Sequence, residues 1–113
     1  MSQITTHILD TAEGRPAEGV SLALQAWQNE AWSDLGAGVT NSDGRVVGLL
    51  ADDVVLPAGR YRMFFETAAY FQGQNKTVFY PYVEVVFEID VSGEHYHIPL
   101  LLAPFGYSTY RGS

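Results

Sequence analysis

The chain has 113 residues, the length of one domain, and its 47% apolar content supplies a single core and excludes intrinsic disorder. Thirteen acidic against six basic residues give a net charge of −7, which argues against a phosphate-backbone partner, because that needs clustered Lys and Arg. There is no cysteine, so disulfides and thiolate metal sites are excluded and a reducing compartment is compatible.

The opening MSQITTHILD has no positive segment followed by an apolar stretch, so no signal peptide is expected. No apolar run approaches the ~20 residues of a membrane span, and a cytoplasmic protein with one domain over residues 1–113 is the expectation. Ile4 to Leu9 is the first strand, with Ile4, Thr6 and Ile8 alternating with Thr5, His7 and Leu9. Asp10 to Pro16 is turn-rich. Val20, Leu22, Leu24 and Ala26 then form the apolar face of a second strand. Gly36-Ala37-Gly38 is a small-residue stretch, followed by the strong turn signal Thr40-Asn41-Ser42-Asp43-Gly44. Val46 to Leu50 is a short apolar run. Pro57-Ala58-Gly59 turns into a strand over Arg60 to Glu66, with Tyr61, Met63 and Phe65 on one face.

Thr67 to Gln74 is the one helix candidate, with Thr67 as its cap and Gly73 as its stop. Val78 to Asp90 reads as the longest strand region. Ser92-Gly93-Glu94 reads as a hairpin turn into a last pair of strands. The sum is seven or eight strands and one short helix, the pattern of an all-β sandwich or barrel. The ending HYHIPLLLAPFGYSTYRGS is alternating strand, proline turn and second strand, which predicts a tail held by the fold.

In that ending Tyr96, Ile98, Leu100 and Leu102 share the expected core face. His95, His97 and Pro99 share the other, which must meet water, a ligand or another subunit. For His97 the solvated and the ligand-facing readings stay open; for His95 the solvated reading is the stronger. His7 likewise opposes the isoleucines of its strand. Arg45 follows the Asn-Ser-Asp-Gly turn, where an exposed loop arginine is the bland reading. Tyr110 can be a sheet aromatic and Arg111 a solvated terminal charge. His-x-His with His7 has the donors for zinc, though no cysteine adds to the set. Asp52-Asp53 reads as an acidic turn. Gly36-Ala37-Gly38 lacks the Lys-Ser/Thr of a phosphate loop, and Ser108 and Ser113 lack a nucleophile elbow. Trp27 and Trp32 are expected in the core or at an interface.

These residues carry a resemblance. ITTHILDTAEGRPA, TNSDGRV, FFETAAYF, FYPYVEVVFEI and HYHIPLLLAPFGYSTYRGS together resemble the transthyretin-related 5-hydroxyisourate hydrolases over nearly the whole chain. The terminal Tyr-Arg-Gly-Ser is the most specific mark. With a histidine at position 97, it separates the enzymes from hormone-carrying transthyretins. The resemblance implies a transthyretin-like sandwich of two four-stranded sheets with one short helix. It also implies a homotetramer, a dimer of dimers, with the site in the groove between dimers. There His7 and His97 can face away from the core and still be sheltered.

The implied reaction is hydrolysis of a cyclic amide C–N bond in 5-hydroxyisourate, giving 2-oxo-4-hydroxy-4-carboxy-5-ureidoimidazoline. The implied catalytic residues are His7, Arg45 and His97, with Tyr110, Arg111 and Ser113 binding substrate. No cofactor, metal or covalent nucleophile is required. Histidine suits proton transfer because its unperturbed pKa is near ~6.5. The rival reading on the same fold is a small-ligand carrier without catalysis.

Overall fold

A computed structural model describes residues 2–91 and 93–113. Period-two alternation of apolar and polar side chains produces strands that are buried on one face. β1 is Ile4–Asp10, β2 Arg15–Pro16, β3 Ser21–Gln28, β4 Ala31–Val39 and β5 Gly59–Glu66. The helix α1, Thr67–Gln72, precedes β6 (Val83–Ile89), β7 (Tyr96–Ala103) and β8 (Gly106–Thr109). They form two four-stranded sheets, ordered β2-β1-β7-β8 and β4-β3-β5-β6. All neighbours are antiparallel except β1 and β7.

The core lies between the sheets. Ile4, Ile8, Leu100 and Leu102 of the first sheet meet Leu22, Leu24, Met63, Phe65 and Val83 of the second. Burial of each such side chain contributes about 1.5–3 kcal/mol before entropy is charged. Thr6 shares the core face of β1, and its hydroxyl donates to the Ile98 carbonyl at 2.6 Å, so its burial leaves no unmet donor. On α1, Phe71 is fully buried and plugs the sandwich. The Val46–Leu50 run forms no strand. Leu49 and Leu50 are buried from a loop instead.

Several expectations are corrected. The small-residue stretch belongs to β4, an edge strand that pairs with β3 across a two-residue turn. Asn29 and Glu30 take φ values of 52° and 61° there, the left-handed turn that matches the twist of a hairpin. Trp27 and Trp32 face each other across this hairpin, with ring centroids 5.1 Å apart; Trp27 is exposed, so the pair lies outside the core. α1 ends at Gln72, and Glu66 takes the cap position without a side-chain bond. Thr67 is inside the helix, buried, with its hydroxyl toward the Tyr80 carbonyl. β6 starts only at Val83, after Pro81, whose missing N–H cannot join a ladder. The turn expected at 92–94 is no hairpin, since β6 and β7 belong to different sheets; Ser92 lies outside the described residues. Among the described residues, no helix is long and apolar enough to cross a membrane.

Candidate active site

The outer face of the first sheet carries the polar residues. β1 and β7 run parallel with Thr5 beside His97 and His7 beside Pro99. Side chains two apart on a strand share a face, so Thr5, His7 and His97 all point away from the core. The Thr5 hydroxyl lies 2.8 Å from His97 Nδ1 and 3.0 Å from His95 Nε2.

Arg45 reaches this face through its turn. The Asn41 side-chain oxygen accepts from the Asp43 N–H at 2.9 Å and the Arg45 N–H at 3.2 Å. Gly44 has φ +75°, and a Cβ there would collide with the Ile8 carbonyl, so glycine is demanded twice over. The Ile8 N–H donates to the Gly44 carbonyl at 2.9 Å, and His7 and Arg45 form an antiparallel bridge. This docks the turn on β1 and delivers an exposed Arg45 to the site.

The tail arrives from the other side. β8 pairs with β7, and the same register carries on to a bridge between His97 and Gly112. The Gly112 N–H donates to the His97 carbonyl at 2.9 Å. A Cβ on Gly112 would lie 2.5 Å from His97 Cδ2 and 3.2 Å from Pro99 Cγ. Only glycine lets the backbone lie this close to the ring.

A depression of about 230 Å³ results, lined by Thr5, Arg45, His95, His97 and Ser113. Three of the six expected site residues, Arg45, His97 and Ser113, thus surround one space. His7 stands next to it on β1, bridged to Arg45. Tyr110 and Arg111 do not line it. They border a separate groove with His97, Val86 and Phe87. The Arg111 guanidinium bonds Glu94 at 2.8 Å and lies 4.5 Å from the Tyr96 ring centre. Thr5 was not singled out by the sequence, because threonine is an ordinary strand residue. Its position two residues before His7 was the available signal.

Burial pushes the His97 pKa below the ordinary 6.5, and the nearby Arg45, His95 and His7 push the same way; a hydrogen bond to the Thr5 main chain opposes them. The ring is therefore neutral near pH 7 and can accept a proton. Among the described residues, no cluster of three His, Cys, Asp or Glu side chains is arranged to hold a metal ion.

The HIUase/Transthyretin family model matches residues 4–112. The chain belongs to this family. Within it, the chain is 46% identical to the 5-hydroxyisourate hydrolase of Mus musculus, over 99% of this chain and 96% of that one. The solved 5-hydroxyisourate hydrolase of Klebsiella pneumoniae is 42% identical, with a TM-score of 0.83 over 97% of this chain and 98% of that one. Sea bream transthyretin in complex with thyroxine superposes with a TM-score of 0.91 at 35% identity, over 98% of this chain and 95% of that one. The backbone thus superposes better on the thyroxine complex than on the hydrolase, and side chains must separate the two functions.

Proposed function

We propose that this chain is a 5-hydroxyisourate hydrolase that forms 2-oxo-4-hydroxy-4-carboxy-5-ureidoimidazoline. The observation that carries the reading is a neutral histidine, an arginine and a serine around one depression. The named hydrolases among its relatives support it. His97 takes a proton from water as it attacks the cyclic amide carbonyl. The planar guanidinium of Arg45 binds the developing oxyanion. As the C–N bond breaks, protonated His97, aided by His7, returns a proton to the leaving nitrogen. Ser113 holds substrate from one side. Tyr110 and Arg111 contribute from the tail that carries Ser113. No covalent nucleophile, cofactor or metal is needed.

We further infer a cytoplasmic homotetramer, a dimer of dimers, in which residues 1–113 act as one domain. The outer face of β1 and β7 then faces a second dimer, and the open depression becomes a sheltered groove.

The test is the ultraviolet decay of freshly made 5-hydroxyisourate with and without the protein. Acceleration by wild type but not by His97→Asn is expected. An unaccelerated trace from correctly assembled protein would favour the carrier reading.

A further inference from the structure

The Thr5 hydroxyl touches two histidine rings and has one proton to give. It can donate to only one of them, so the other ring must donate to it. If Thr5 donates to His97 Nδ1, neutral His97 carries its own proton on Nε2 and has no lone pair to offer there. If His97 Nδ1–H donates to Thr5, Nε2 is bare and the hydroxyl proton turns to His95.

We propose that Thr5 is the positioning residue of the site: it accepts from His97 Nδ1–H and so leaves Nε2 free to take the proton of the attacking water. This deepens, and rests on, the reading of His97 as the base. Three features support the direction. Arg45 lines the same depression, and a fixed cation there favours a lone pair at Nε2 over an N–H. The imidazolium formed in the reaction keeps the same Nδ1–H bond to Thr5, so no group has to turn during turnover. His95 is exposed, and water lets it adopt whichever tautomer the Thr5 hydroxyl requires. The ring is also wedged between the Thr5 hydroxyl and the Gly112 backbone, which fixes its plane. Threonine is suited to the task, because its branched Cβ restricts the hydroxyl to few rotamers.

The experiment combines nitrogen-15 NMR of the His97 ring at pH 8 with steady-state kinetics, on the full chain in its native assembly. Wild type is expected to show protonated Nδ1 and bare Nε2. Thr5→Val keeps shape and strand preference but loses the hydroxyl. Its kcat is expected to fall roughly 10- to 100-fold, the usual cost of removing a histidine's orienting partner, with KM little changed. Thr5→Ser is expected to restore kcat and the wild-type tautomer. A wild-type His97 protonated on Nε2 overturns the proposal, as does full activity in Thr5→Val or an equal loss in both variants. Should Thr5→Val fail to fold, the wild-type spectrum alone decides. A wild type without hydrolase activity sinks the functional reading instead, and the tautomer is still read.

Discussion

His97 is where local chemistry and position meet. Its alternation on β7 sends it outward, and Thr5, Gly112 and Arg45 then decide what the ring can do. Because its folded pKa is below 6.5, the ring is neutral in both folded and unfolded chains above that pH, and it has no effect on stability there. As pH falls below 6.5 the unfolded chain takes up the proton first, so stability is lost until the lowered folded pKa is passed. In the proposed mechanism activity follows the same group. We expect kcat/KM to be flat above pH 6.5 and to fall through a pKa below it, with one proton taken up. His97→Asn is expected to fold and to lose about 10²–10⁴ of the catalysed rate. Gly112→Ala is a subtler probe. The new Cβ must displace the His97 ring, and a shift near 1 Å costs about 10²-fold in a positioned reaction. We expect kcat to drop by that order while the thermal midpoint scarcely moves, as measured by kinetics beside calorimetry.

At the scale of elements, α1 is tied to the first sheet through Tyr70. Tyr70 donates to the Asp10 Oδ2 at 2.6 Å, while Asp10 Oδ1 accepts from the Ala12 and Glu13 N–H groups. Burial first, and then the bond to Asp10, raise the Tyr70 pKa from 10.0 to about 12. The folded state therefore holds the phenol proton, and the stability from this group is complete below pH 10 and lost as pH rises through about 12. Tyr70→Phe is expected to cost about 1–3 kcal/mol near neutral pH, the cost of leaving a part-buried acceptor without its donor. Chemical denaturation along an alkaline pH series should show the gap between wild type and variant closing between pH 10 and 12.

The elements also explain what was legible beforehand. β3 and β5 bury alternate residues, and their faces are readable residue by residue; β7 departs from alternation at Pro99, which is buried between Ile98 and Leu100 although it lies on the outward face with His97. β4 is not readable in this way. It is an edge strand with no buried residue, so no hydrophobic period marks it. β2 has two residues and exists only because β1 offers an edge. The hairpin expected at 92–94 fails on topology, because a turn signal gives the bend and not which sheet the next strand joins. For the site, alternation pointed His7 and His97 outward, and the resemblance grouped them with Arg45 and the tail. Alternation also places Thr5 on the face of His7, but its contact with His97 spans 92 residues and rests on the pairing of β1 with β7.

At the scale of the whole molecule, charge bears on the proposed assembly. Each chain carries −7, so a tetramer would concentrate negative charge. Salt screens such repulsion over about 10 Å at 0.1 M. We expect analytical ultracentrifugation to find tetramers that dissociate more readily at low ionic strength. A monomer at every salt concentration would refute the tetramer.

The parallel pairing of β1 with β7 has a consequence for how the molecule is made. The ribosome emits His7 and Arg45 early and His97 late, and the second sheet, β3 to β6, is complete before β7 exists. Until then one edge of β1 has no partner, and nascent chains with open strand edges are prone to wrong pairings. The proposed site therefore cannot assemble before β7 and the segment through Ser113 have been made. A ribosome stalled before residue 96 would display a complete second sheet, only β1 and β2 of the first, and no His97.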